Sequence, residues 1–378
     1  MIRHKILRNI LIVTASVTAL LIALSFSQGF CDWYTDHIYP YPASILGRLT
    51  ALLPFALGEI LMYLSILLIP ATVIILLLLF FLRRRPKYRR FAAIYGKTLL
   101  TAAVCMGFLY TANWLVPFRG SVLGQQVQAE QTYSIDALAA LREYAVTELN
   151  RAAEDVPRDA DGVVIMPDQE TIDSAVVRAM QQLSAEYPRL AGYYPPMKDA
   201  LCSDVLDWMN IGGFTYPFTM ELTGNRYVSR LYYPVLYAHE SSHHKGYYKE
   251  HEANFLSILG CSRSEEPVLR YSAYYEMYYY LDDAYRTSLL AEYEREDAAA
   301  IYKAAAMPAG IVRTDWQRSQ AEAEARYAAD SHPLKRFSQT AEQAAETGWS
   351  TQAKVLKEYN YGGVVGLLLQ YYKGIAAR

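Results

Sequence analysis

The chain has 378 residues, with 36 Lys and Arg against 38 Asp and Glu, for a formal charge of −2. That near-neutral balance gives no basis for a nucleic-acid partner, and the length admits a membrane segment plus one large domain. Tyrosine is unusually abundant, at 33 residues.

Apolar residues crowd the N-terminal third. Spans are expected near 10–28, 55–82 and 98–118, each meeting the requirement of about 20 residues to cross about 30 Å of hydrocarbon. Glu59 falls near the outer end of the second span, where it can reach the interface, and Pro70 is tolerated inside it. Arg3, Lys5 and Arg8 precede the first span, and Arg83, Arg84, Arg85, Lys87, Arg89 and Arg90 follow the second. The stretch between, Cys31 to Pro54, reads as an outer loop with Asp32 and Asp36 against Arg48 alone. Positive residues stay on the cytoplasmic side, so the N-terminus and an 83–97 loop are expected inside. Everything after Arg119 then lies outside the cytoplasmic membrane. A cleavable signal peptide ending at Ala23-Leu24-Ser25 is the rival reading. The two spans that follow favour an uncleaved helix.

Beyond the spans the pattern is helical almost throughout. Ser134 caps a stripe of Ile135, Leu138, Leu141, Ala145 and Leu149, and Asp168 opens another with Ile172, Val176, Met180 and Leu183. Tyr193 to Pro196 is a turn, and Met209 to Met220 is the one β-prone stretch, within which 214–220 reads either as an edge strand that pairs with an extended substrate or as a plain buried loop. Tyrosines from Tyr271 to Tyr280 recur at three-to-four spacing, which reads as core packing with hydroxyls seeking partners. Ala-rich helices follow at 292–306 and 315–329, and Val364 to Tyr372 is too short to span. The expected fold class is mainly α: three transmembrane helices in residues 1–120, then a helical domain over 121–378 with at most a short β edge. There are no repeats and no Gly-rich phosphate loop, which leaves a nucleotide-driven activity without support.

The chemistry concentrates in His239-Glu240-Ser241-Ser242-His243, followed by Gly246 and Glu250. On a helix the two histidines share a face, so one Zn²⁺ can take a nitrogen from each while Glu240 lies beside them as a base. Pro234 kinks this helix or sits in its first turn, and Gly246 ends it. A second helix starting near Lys249 offers Glu250 as third ligand and Asn254 as its partner one turn on. Glu252 is the rival third ligand. The competing account of the whole motif is a solvent-facing helix whose charges fall in register. His244 and His251 read as surface or supporting histidines, and His332 in Ser-His-Pro as a loop residue or an oxyanion donor. Cys202 and Cys261 both fall in the outer domain and can pair there.

The string from His239 to Glu250, with Ala253 and Asn254, resembles the gluzincin metallopeptidases, closest to the integral-membrane HtpX and CAAX-prenyl-protease type. It also resembles an uncharacterised family of bacterial membrane proteins with a domain of unknown function, over most of the chain including 361–369. The resemblance implies a zincin-like metallopeptidase domain in which His239, His243 and Glu250 bind zinc and Glu240 is the general base. It implies a peptide or membrane-associated protein as substrate. Asn254 stands where that type carries Asp, and Lys245 where it carries an apolar residue. A non-peptidase zinc amide hydrolase and a membrane sensor or scaffold without turnover are the alternatives.

Overall fold

A computed structural model describes residues 2–123, 133–209, 211–329 and 363–376. The chain divides into two units: Met1–Ser121 with Thr215–Glu221, and Val122–Phe214 with Leu222–Arg378.

The first unit contains α1 (Ile2–Leu24), α2 (Gln28–His37), α3 (Pro40–Ala51), α4 (Leu57–Leu82), α5 (Pro86–Tyr110) and a short α6 (Val116–Phe118). A π-helical turn, Thr111–Leu115, joins α5 to α6. Three stretches are long and apolar enough to cross a membrane: Lys5–Leu24, Leu57–Leu82 and Pro86–Phe118. Leu67, Leu77, Phe80 and Phe81 of α4 are exposed, as side chains facing lipid would be. The stretch 31–54 is helical and not a loop. Ser27 caps α2 by accepting the Phe30 N–H, and Pro40 sits in the first turn of α3. The third span starts at Pro86, so the expected 83–97 loop shrinks to a tight turn. Proline fixes that first turn and the helix continues through the cations. Glu59 is buried and accepts the Tyr63 hydroxyl at 2.7 Å instead of reaching outward.

Segment 215–221 packs within this first unit. The Glu221 carboxylate accepts the N–H groups of Leu57 at 3.1 Å and Gly58 at 2.8 Å, capping the start of α4. The buried Asn113 amide donates to the Pro217 carbonyl at 2.8 Å. Only Phe214 and Thr215 of the expected 214–220 strand are extended. The rest curls back, with Met220 at φ 54° and its N–H on the Tyr216 carbonyl at 2.7 Å.

The second unit holds α7 (Ile135–Asp155), α8 (Gln169–Gln182), α9 (Ser203–Trp208), α10 (Tyr233–His244), α11 (Glu250–Ser262), α12 (Pro267–Glu292), α13 (Arg295–Ala304) and α14 (Gly310–Ala329). A further helix covers 363–371. Three short strands, β1 (Met197–Asp199), β2 (Gly213–Thr215) and β3 (Leu222–Gly224), lie in the order β1-β3-β2. β1 runs parallel to β3 with Met197 opposite Leu222. Ser134 and Asp168 cap α7 and α8 through the N–H groups of Ala137 and Thr171. α12 packs along α7 and against α11, and α8 packs on α10 and α11.

The core joins Leu138 and Leu149 of α7, Met180 of α8, Leu256 and Leu259 of α11, and Met277 of α12. Each such side chain contributes roughly 1.5–3 kcal/mol of burial. Tyr271, Tyr274 and Tyr285 of α12 enter the same core, while Tyr279 is exposed. Tyr271 donates to Asp315 at 2.9 Å, and Asp315 also takes both forks of Arg158 at 2.8 and 2.9 Å. Tyr275 stacks on Trp316 with ring centroids 3.6 Å apart. Val364, Val365 and Leu368 bring the 363–371 helix onto this core. Cys202 and Cys261 are separate buried thiols, and the Cys261 Sγ donates to the Pro234 carbonyl at 3.7 Å. The pairing that the sequence left open is not formed, and Cys261 is wholly enclosed by the helices around it.

Candidate metal centre

The centre is assembled by a helix, a turn and a second helix. Pro234 occupies the first turn of α10, where its missing N–H costs nothing. Nearly every side chain from Pro234 to His244 is buried, so the motif helix is held on all sides and not laid on the surface. Gly246, at φ 88°, ends it in a left-handed turn. The Gly246 N–H reaches the His243 carbonyl at 3.0 Å and the Tyr247 N–H reaches the Ser242 carbonyl at 3.1 Å, the two bonds of a Schellman cap. That turn also carries the Tyr247 carbonyl back to His243 Nδ1 at 2.8 Å.

α11 then begins with Glu250, and one turn later Asn254 Oδ1 meets His239 Nδ1 at 2.7 Å. Each ring thus donates its Nδ1–H to an oxygen and turns Nε2 inward. His239 Nε2 lies 3.3 Å and His243 Nε2 3.5 Å from the Glu250 carboxylate. Tetrahedral ligands about 2.0–2.2 Å from zinc would stand roughly 3.4 Å apart. His239, His243 and Glu250 form a set with ligand atoms all within 4.8 Å of one another. Three acceptor groups converging on one point, with nothing to donate between neutral rings, is a donor set that fits a cation.

Without an ion between them, the same three groups draw together as a charged pair. Burial opposes a charge on His243, but Glu250 beside it, helped by Glu240, lifts its imidazole to about 9. Burial acts to raise the Glu250 carboxyl, yet the two imidazoles hold it well below the usual carboxylate range. Its side chain stays half exposed while its carboxylate end is turned in against the rings.

The remaining candidates separate clearly. Glu252 turns away: it is buried, accepts the Leu123 N–H, and burial pushes it up to about 7. His244 is buried edge-on to Tyr193, and burial holds the His251 imidazole below its ordinary value. Lys245, the departure from an apolar residue, is indeed buried. Its ammonium donates to the carbonyls of Ala191 and Tyr193 at 2.7 Å each and sits 4.0 Å from the Tyr194 ring. Burial lowers it to about 7. His332 lies outside the described residues.

Glu240 is buried against β2. A Cβ on Gly213 would stand 2.8 Å from Glu240 Oε1 and 3.0 Å from the Thr223 carbonyl, so only glycine lets the strand pass here. Sequence reasoning missed this role, for which the doublet Gly212-Gly213 ahead of a β-prone run was the available signal. It also missed Tyr232 and Glu276. The Tyr232 ring would be 3.4 Å from a Cβ at Gly212. Burial raises its hydroxyl well above the ordinary value, with Glu276, Glu240 and Glu250 adding to the effect.

Glu276 of α12 has an enclosed carboxyl that burial pushes up from 4.5 to about 7. The folded chain then keeps a proton that the unfolded chain releases. Its stabilising contribution is full below pH 4.5 and is lost as pH rises toward 7, at most about 3 kcal/mol. Glu276→Gln should flatten this part of the profile and raise the unfolding temperature more at pH 7 than at pH 4.5. Thermal unfolding of the solubilised protein across that range tests it, and parallel profiles for the two proteins would refute it.

These elements define a mainly helical protein with three helices long and apolar enough to span a membrane, and a cluster able to hold a metal. Residues 34–365 match the family described as a protein of unknown function, DUF3810, and the chain belongs to that family. No curated protein and no solved structure matches the chain. The likeness to the HtpX type rests on the motif residues alone.

Proposed function

We propose that this protein is a membrane-anchored zinc metallopeptidase, with His239, His243 and Glu250 as metal ligands and Glu240 as general base. The observation that carries the reading is the convergence of two Nε2 atoms on one carboxylate at 3.3 and 3.5 Å, both rings being fixed through Nδ1. Zinc, when bound, supplies Lewis-acid polarisation and makes water acidic enough to ionise near neutral pH. Glu240 accepts the proton of the attacking water and hands it to the leaving amine. Its burial beside β2 keeps that carboxylate out of bulk solvent. β2 is an edge of the sheet, and a sheet edge beside the centre suits an extended peptide added as a further strand. The substrate is accordingly a peptide or a membrane-associated protein. The cations on either side of the first two spans support an N-terminus inside and a catalytic domain outside the cytoplasmic membrane.

Asn254 favours a second reading. A neutral amide polarises His239 less than a carboxylate would, which suits a sensor that holds zinc without turnover. One experiment separates the two. The purified full chain is analysed for metal and incubated with a peptide library, before and after chelation. About one zinc per chain with chelator-sensitive cleavage supports the peptidase; zinc without cleavage supports the sensor; no zinc removes both.

A further inference from the structure

The sheet edge opposite β2 borders a separate cavity of about 610 Å³ within the second unit. β1 contributes Met197, Lys198 and Asp199, and the end of β3 contributes Gly224 and Asn225. Ile172, Met197 and Val228 give it apolar wall. Its cations come from three segments of the fold: Lys198, Arg226 and Arg230, and Arg326 of α14. Asp168 and Asp199 are the carboxylates of the lining, outnumbered by its four cations, and Glu322 lies near enough to act on Arg326.

Asp168 is already committed, because its carboxylate accepts the Thr171 N–H at 2.7 Å and caps α8. Two of the guanidiniums are braced by the backbone. Arg226 donates to the Ala200 carbonyl at 2.7 Å, and Arg326 to the Val228 carbonyl at 2.7 Å. Among the described residues, neither Arg230 nor Arg326 has a carboxylate within ion-pairing distance. Burial and the neighbouring Arg230 hold the Arg326 guanidinium below its usual value, against a partial offset from Glu322. Arg326 is held in place with the exposed Arg230 beside it, and two such like charges on an apolar-walled hollow are stabilised by an anion between them. The volume is in the range of small-molecule sites, about 300–1,000 Å³.

We propose that this cavity binds a phosphomonoester, with the phosphate held by Arg230 and Arg326 and the organic body against Ile172, Met197 and Val228. A phosphate offers two guanidiniums three oxygens and up to two charges, where a carboxylate offers two oxygens and one charge. The site is distinct from the metal centre and does not depend on the peptidase reading.

The test uses the full chain in detergent, titrated calorimetrically with phenyl phosphate and, separately, phenylacetate. Phenyl phosphate should saturate one site and phenylacetate should bind at least about tenfold more weakly. Arg230→Gln, at an exposed position whose loss leaves the fold intact, should weaken phenyl phosphate about tenfold. His239→Ala should leave that binding unchanged. A short-chain phosphatidate that competes through Arg230 would assign the phosphomonoester to a lipid, and failure to compete would assign it to a soluble ester. Equal affinity for phenylacetate, no saturable binding by the folded chain, or unaltered binding in Arg230→Gln would overturn the proposal.

Discussion

His243→Ala is expected to lower the zinc affinity of the full chain by at least ~100-fold, measured by competition with a chromogenic chelator. Both nitrogens of this ring are in use, Nε2 facing Glu250 at 3.5 Å and Nδ1 donating to the Tyr247 carbonyl at 2.8 Å. Removing it takes away one of the three proposed ligands and the hydrogen bond that ties this ring to the end of α10. Asn254→Ala removes only the oxygen that fixes His239, so a loss of roughly 10–100-fold is expected there. If His243→Ala bound zinc as tightly as the parent, the cluster would not be the metal site.

Glu240→Gln is expected to cut the turnover of any peptide substrate by about 10²–10⁴-fold while the protein keeps its zinc. The replacement preserves shape, so the close passage of Gly213 past this side chain is retained. What it loses is the capacity to accept a proton. Mass spectrometry of library cleavage products reads the rate, and metal analysis of the same sample reads the zinc. Undiminished cleavage would remove Glu240 from the role of base; lost zinc would recast it as part of the metal's surroundings.

The parts of this molecule legible in its sequence are those governed by short-range periodicity. His239 and His243 are four apart on a helix, and the glycine at 246 announces the left-handed turn that ends it. The stripe from Leu138 to Leu149 and the caps at Ser134 and Asp168 needed only local pattern. Long-range pairing was not legible. β1 and β3 are three residues each, too short to alternate, and lie far apart in sequence although Met197 faces Leu222. Gly213 acquires its meaning from Glu240, and Tyr232 from carboxylates on three helices. Helices α2 and α3 were hidden because their mixed polarity reads as a loop, while their termini are set by Ser27 and Pro40. The arginines at 226, 230 and 326 carry no shared motif; only the fold gathers them around one cavity.

The helix-turn-helix from α10 through Gly246 to α11 supplies both imidazoles, the carboxylate, and the oxygens that steer the rings. Such a low contact order lets the three donors come together as soon as one hairpin docks, without waiting for distant strands to pair. A cation captured at that stage would act as a clasp on the nascent chain, and its supply during synthesis would then bear on the yield of folded protein.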